Sequence, residues 1–246
     1  MIDHLRYTMR AMQLFSRAQE VTANNLANLN TPGFKKDKMY QRSFDEMLYG
    51  DGAREVEQYQ ITNLASGTLE QTGNVFDVAL QGDGFFEVEA GNRKLLTRNG
   101  QFHLDKQGIL RNEQGHAVQG LSGSIMVPDS LLTGKLEQQE QKIEIGRDGV
   151  IRVNDTVIDQ LKIVKVKDTT KLERLADSFF GLEDRDLLEI DQATLVNQGY
   201  LEKGNANPLE EMLAMQKNMR LFESSQRNMR STDEIIAEVT TRLGRF

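Results

Sequence analysis

The sequence predicts a mainly β middle domain flanked by N- and C-terminal α-helices that associate in a coiled-coil-like manner. Three observations carry that expectation. Residues 3–28 and 205–244 place apolar side chains at spacings of three and four, the period of one helix face. The stretch between them has short apolar runs separated by glycine-bearing turns, as in an antiparallel sheet. Strands do not alternate with helical segments there, so a doubly wound parallel fold is not expected.

The first helix carries Ile2, Leu5, Met9, Met12, Ser16, Gln19, Ala23 and Leu26 as a heptad-like stripe. Either it covers the core of its own domain or it pairs with another helix. It ends in Ala23-Asn24-Asn25-Leu26-Ala27-Asn28-Leu29-Asn30, then Thr31-Pro32-Gly33-Phe34-Lys35. Asparagine competes for backbone groups and is a poor helix-interior residue. Pro32 biases Thr31 away from the α region, and Gly33 admits almost any backbone angle. A plain terminator would not need Leu26, Ala27 and Leu29 between the amides. This segment is expected to be an assembly element.

Residues 35–71 show no steady period and read as an extended arm or linker. Lys35, Lys36, Asp37 and Lys38 read as solvated. Ser43–Tyr49 reads as a short helix or a docking strip, broken by Gly50-Asp51-Gly52.

The antiparallel β domain is expected over residues 72–190. Val75–Leu80 and Phe85–Glu89 are strand-like, and Gly91-Asn92, Asn99-Gly100, Gln107-Gly108 and Gln114-Gly115 fall at hairpin spacing. Ile143 and Ile145 precede a turn at Arg147-Asp148-Gly149, followed by Val150, Ile151 and Val153. Leu161–Val166 trades apolar and charged residues, as on a half-buried edge.

Residues 191–246 read as a connection and a second assembly helix. Asn207-Pro208-Leu209-Glu210 supplies an N-cap, a proline at the first helical position and a glutamate at the third. Met215, Phe222, Met229, Ile236 and Leu243 then repeat every seven residues. Met212 and Met219 take the partner position, which continues as Gln226, Asp233 and Thr240. Methionine makes this stripe adaptable packing material. Two heptad-bearing ends must find each other or copies of themselves, and head-to-tail contacts that do not close generate helical filaments.

Composition narrows the function. The chain has 246 residues, 38% of them hydrophobic, and a net charge of −7; mean hydropathy is −0.52. So wet a chain is expected to lean on partners. No lysine–arginine run is present to track phosphates, so nucleic acid is not an expected partner. The absence of cysteine excludes disulfides and thiolate metal sites. No apolar run reaches the ~18 residues of a membrane span, so no membrane insertion is expected. Asp3, His4, Arg6 and Arg10 interrupt any signal-like apolar core in residues 1–13.

No catalytic, cofactor or metal site is expected. His103 and His116 fall on different hairpins without a third ligand at metal spacing, and His4 stands apart. Gly82-Asp83-Gly84 lacks the third glycine of a dinucleotide fingerprint and leads into a strand. Gly120–Ser124 has serine where a nucleophile elbow needs its second glycine. Glu183, Asp184, Asp186, Glu189 and Asp191 lack the pattern of a calcium loop and read as a solvated face.

Four ordered blocks carry a family resemblance. They are Ala23–Asn28 with Thr31–Lys35; Asp77-Val78-Ala79-Leu80-Gln81-Gly82-Asp83-Gly84-Phe85-Phe86; Thr97-Arg98-Asn99-Gly100-Gln101-Phe102; and Gln198-Gly199-Tyr200-Leu201-Glu202 with Asn205, Asn207, Glu211 and Met212. Together they resemble the flagellar rod and hook family of axial proteins, and within it the basal-body rod proteins of the FlgF/FlgG class. Gly204 and Ala206 stand where that family commonly has Ser and Val.

The resemblance implies a structural subunit of the bacterial flagellar basal-body rod, which polymerises through its terminal helices and transmits torque from motor to hook. It implies as partners copies of itself, neighbouring rod and hook proteins and the flagellar export apparatus. The location implied is the basal body outside the inner membrane, reached without a cleaved signal peptide. The other readings are a hook or hook-associated axial protein and a secreted glycan-binding β module. The expected assembly interface comprises Leu5, Met9, Met12, Asn24, Asn25, Leu26, Ala27, Asn28, Thr31, Pro32, Gly33 and Phe34 at one end. At the other end it comprises Met212, Met215, Met219, Phe222, Met229, Ile236 and Leu243.

Overall fold

The computed structural model describes residues 2–44, 55–128, 142–175 and 178–243. The chain is mainly β, with one long helix at each end, and divides into two compact units. One draws on residues 1–29, 36–63 and 206–246; the other on residues 30–35 and 64–205.

The first unit is helical. Helix α1 spans Ile2–Ala27 and helix α2 spans Pro208–Leu243. Their 26 and 36 residues correspond to about 39 and 54 Å of helix. The asparagines account for the end of α1. Asn28 donates both its backbone N–H and its side-chain amide to the Asn24 carbonyl, at 3.2 and 2.9 Å, which satisfies a last-turn acceptor. At the start of α2 the Asn207 side chain accepts the Leu209 N–H at 3.0 Å, an N-cap as its sequence predicts. Glu210 does not complete a capping box: its carboxylate lies 3.2 Å from the Lys36 ammonium.

The described part of the arm that falls in this unit is not irregular. Strands β1 (Asp37–Phe44) and β2 (Glu55–Thr62) form an antiparallel ribbon with Tyr40 opposite Tyr59. Their ring centroids lie 6.0 Å apart. Polar residues on both faces hid the two-residue period. Of Ser43–Tyr49, Ser43 and Phe44 close β1 and the rest lies outside the described residues.

The second unit holds the β core. Strand β3 is Leu69–Gln71, β4 Val78–Gln81, β5 Phe85–Ala90 and β6 Arg93–Thr97; β7 is Phe102–Leu104, β8 Leu110–Asn112 and β9 Ala117–Val118. Strands β10 (Ile143–Ile145), β11 (Val150–Val153) and β12 (Thr156–Gln160) form their own antiparallel sheet. Then come β13 (Ile163–Val166), β14 (Glu173–Arg174), β15 (Phe179–Gly181), β16 (Leu188–Ile190), β17 (Leu195–Gln198) and β18 (Tyr200–Glu202).

The main sheet runs β14-β15-β6-β5-β9-β8-β7, and β13 bridges β5 and β16. Turns fall at Gly91-Asn92, Gln107-Gly108 and Gln114-Gly115, as the sequence predicts. Strand β5 sits at the centre and is buried on both faces, which explains its consecutive aromatics. Phe86 joins Val78, Val88, Phe102, Ile151 and Ile163 on one side. Phe85 joins Leu96, Val164, Val166 and Phe180 on the other. The Leu161–Val166 segment is not an edge, because β13 pairs on both sides.

Three expected boundaries move. Strand β17 pairs with β4, and β18 pairs with β3. Residues 64–71 and 191–205, assigned from the sequence to the arm and to the connection, therefore belong to the β unit. So do residues 30–35.

Candidate assembly site

The helical unit is built on a seam between α1 and α2. On α1 the covered positions run Thr8, Ala11, Phe15, Ala18, Thr22 and Asn25, alternating spacings of three and four. The deepest, Thr22 and Asn25, are 6% and 2% exposed. This track is displaced one residue from the expected stripe. Met12 and Leu26 are half-buried, whereas Met9, Ala23, Asn24 and Ala27 are exposed. The Leu5 side chain lies outside the described residues.

On α2 the half-buried positions include Met215, Phe222, Met229 and Ile236, the heptad that its sequence predicts. The alternate position is Glu211, Asn218, Ser225 and Thr232 rather than Met212 and Met219. Those two methionines face outward at 54% and 52% exposure. The Leu243 side chain is outside the described residues. Small side chains at Ala11, Ala18 and Ala214 set the seam, and hydrophobic periodicity alone underweights such residues.

Asn25 ties this unit together. Its amide donates to the Asp37 carbonyl at 2.9 Å and to Glu211 Oε2 at 3.1 Å. Its oxygen accepts the Asp37 N–H at 3.0 Å. One buried side chain thus links α1, the first residue of β1 and the first turn of α2. The amide expected to serve contacts between subunits is spent inside the chain. Lys36 reinforces the same corner, 3.4 Å from Glu211 Oε1. The Asp37 carboxylate accepts from Gln60 and Thr62 at 2.8 and 2.6 Å.

In the β unit, the Thr31–Lys35 segment serves a buried ionic cluster. Lys35 Nζ lies 2.5 Å from Glu202 Oε1, and neither side chain is exposed. Arg98, itself 2% exposed, places Nη1 3.5 Å from Glu202 Oε2. Lys35 also donates to the Ala65 carbonyl at 2.9 Å, and Gly67 N–H donates to Glu202 at 2.7 Å. Burial pulls the Lys35 ammonium below its ordinary range, an effect that Glu202 partly offsets. Burial lowers Arg98 in the same sense.

Gly33 seats the segment. Its N–H donates to the Glu202 carbonyl at 2.7 Å, its φ is +68°, and an added Cβ would stand 2.3 Å from the Arg98 carbonyl carbon. Phe34 is 1% exposed under the Arg174 guanidinium, 4.4 Å from its ring centroid. Gly33 and Phe34 are buried within the chain, Thr31 and Pro32 are half-buried, and Asn28 bonds to Asn24. Of the run expected to be solvated, only Lys38 is exposed; Lys35, Lys36 and Asp37 are buried. Sequence reasoning missed Lys35, Arg98 and Glu202 as one group. The signal available was that each sits in a different motif block.

Among the described residues no group of three or more His, Cys, Asp or Glu side chains is placed to hold a metal ion. No described helix is long and apolar enough to cross a membrane.

Two terminal helices share a seam, and an ionic cluster drawn from three motif blocks pins the β body. Family comparison agrees block by block. Residues 5–35 match the flagella basal body rod protein model, 79–153 the D1 domain model of flagellar hook protein FlgE/F/G, and 197–242 the C-terminal model of flagellar basal body rod FlgEFG protein. Each match contributes one member of the cluster: Lys35, Arg98 and Glu202. FlgF of Salmonella typhimurium is 32% identical and FlgF of Escherichia coli 31% identical, each match covering 95% of both chains. FlgG of Bacillus subtilis is 26% identical over 97% of this chain and 98% of its own. The chain belongs to the flagellar basal-body rod proteins of the FlgF/FlgG class.

Proposed function

We propose that this rod subunit polymerises through its terminal helices, in a coiled-coil-like manner, and carries torque as a mechanical element rather than as an enzyme. The observation that carries this reading is apolar surface left over on the helical unit. With the α1–α2 seam formed, Leu209, Met212, Leu213 and Met219 on α2 remain 52–65% exposed, and Tyr7 and Met9 on α1 are each 47% exposed. Apolar surface of this kind marks contact with other chains. The partners are copies of this chain and neighbouring rod or hook proteins. The chain reaches the basal body, outside the inner membrane, through the flagellar export apparatus.

The test is genetic and biochemical together. A strain lacking the gene should be non-motile and should lack complete rods. Leu26→Asp should give the same phenotype while the purified chain keeps its β-unit unfolding transition. A motile strain carrying Leu26→Asp would sink the terminal-helix mechanism.

A further inference from the structure

Among the described residues, four buried side-chain polar atoms make no hydrogen bond within the chain: Arg98 Nε and Nη1, Glu202 Oε2 and Ser178 Oγ. Arg98, Glu202 and Ser178 are 2%, 1% and 3% exposed. The β15–β6 ladder pairs Phe180 with Leu96 and Phe179 with Thr97, so its next position sets Ser178 opposite Arg98. Opposed residues share a face of the sheet, and so do residues two apart on one strand. Ser178 and Arg98 therefore extend the face that carries Phe180 and Leu96, which cluster with Phe85. The Arg98 guanidinium stands 4.9 Å from the Phe85 ring centroid. Polar atoms left unpaired in such apolar surroundings are costly.

The spacing of Arg98 and Glu202 shows what would pair them. Nη1 and Oε2 are 3.5 Å apart, longer than a charge-assisted hydrogen bond at about 2.7–2.9 Å. Neither group is free to close that distance. Glu202 Oε1 is held by Lys35 Nζ at 2.5 Å and by the Gly67 N–H at 2.7 Å, and the Arg98 guanidinium rests against Phe85. A group that serves both atoms must accept from Nη1 and donate to Oε2. A monovalent anion cannot donate and would face the carboxylate. A metal cation would face the guanidinium. Water does both, with bonding capacity left for the Ser178 hydroxyl.

We propose that Arg98, Glu202 and Ser178 bind one internal water molecule, which accepts from Arg98 Nη1, donates to Glu202 Oε2 and bonds to Ser178 Oγ. Nε–H points from a different edge of the guanidinium and lies outside the site. A water held this way is part of the fold. It completes the link between the motif blocks of Arg98 and Glu202 where their direct contact falls short. It also gives a role to Ser178, which lies in none of the four blocks and is held at φ +66°. The site is independent of how the rod subunit assembles.

Ser178→Ala gives opposite signs for a bonded and an unbonded hydroxyl. If the hydroxyl holds the water, its loss should raise the unfolding equilibrium constant of the β unit about three- to tenfold. If the hydroxyl has no partner, its removal relieves a buried polar atom and the constant should fall. A fall, or no change, in urea titrations overturns the site.

A high-resolution crystal structure of this chain, soaked in bromide, is the direct readout. Solvent density within hydrogen-bond distance of Arg98 Nη1, Glu202 Oε2 and Ser178 Oγ is expected, without a bromide anomalous peak. A direct Arg98–Glu202 hydrogen bond with no density between the two overturns the water. An anomalous peak overturns it as well, because the site would then hold an anion.

Discussion

Lys35 and Glu202 are 167 positions apart in sequence, and their side chains meet at 2.5 Å with neither exposed to solvent. Together with Arg98 they form a group of two cations and one anion. Removing the anion strands both cations. Glu202→Gln should cost about 3–5 kcal/mol in the unfolding of the β unit. Lys35→Met should cost less, because Glu202 keeps Arg98 and the Gly67 N–H. Urea titration followed by a β-unit probe measures both. Equal losses would remove the argument that charge imbalance dominates.

The same lysine gives the β unit a pH dependence. Burial, the larger influence, holds the folded-state pKa of Lys35 below its ordinary 10.5, while Glu202 pulls the other way. Between the lowered value and 10.5 the unfolded chain binds more protons than the folded one. Stability therefore rises with pH across that window and is flat, as far as this group is concerned, below it. Urea midpoints of the natural chain and Lys35→Met, compared at pH 7 and pH 10.5, should show the natural chain gaining relative to the variant. A relative loss would reverse the assigned direction.

Gly33 supplies a contrast with an unconstrained glycine. Gly33→Ala introduces a left-handed alanine and a Cβ 2.3 Å from the Arg98 carbonyl carbon, so the loss should be about 2–5 kcal/mol. Gly91→Ala meets the same backbone strain at φ +62° but has nothing within 4 Å of the new Cβ. Its loss should be about 1–2 kcal/mol. Thermal melts of the two variants separate backbone strain from steric conflict.

The contrast between the two ends of the Asn-rich motif shows what the sequence could express. Helix extents, the Asn207 cap and most hairpin turns follow from local chemistry, and they were legible. The Met215–Ile236 heptad was legible because its residues are large and apolar. The other half of the seam is Ala11, Ala18, Thr22 and Asn25, whose value lies in close approach and hydrogen bonding, so the stripe was set one residue off. Lys35 reads as solvated from its neighbours because nothing local reveals that Glu202 waits 167 positions away. The polar β1–β2 ribbon and the return of β17 and β18 onto β4 and β3 were missed for the same reason. Both depend on partners distant in sequence or on faces without alternation.

Asn25 gives the sharpest test of the helical unit, because an isosteric change reverses its chemistry. Asn25→Ala removes bonds to the Asp37 N–H, the Asp37 carbonyl and Glu211. Losing those hydrogen bonds at a buried corner should cost about 2–4 kcal/mol. Asn25→Asp keeps an acceptor for the Asp37 N–H, yet it turns a donor toward the Asp37 carbonyl into a carboxylate and sets that charge beside Glu211. Lys36 is the compensating cation nearby, 3.4 Å from Glu211, and it already pairs with Glu210. The aspartate variant should therefore be at least as damaging as alanine, despite its nearly unchanged shape. Adding Glu211→Gln should recover part of the loss by removing the facing charge and supplying a donor. Helix content and unfolding midpoints across the three variants decide the matter. An Asn25→Asp chain as stable as the natural one would mean that this amide is not what joins α1 to β1 and α2.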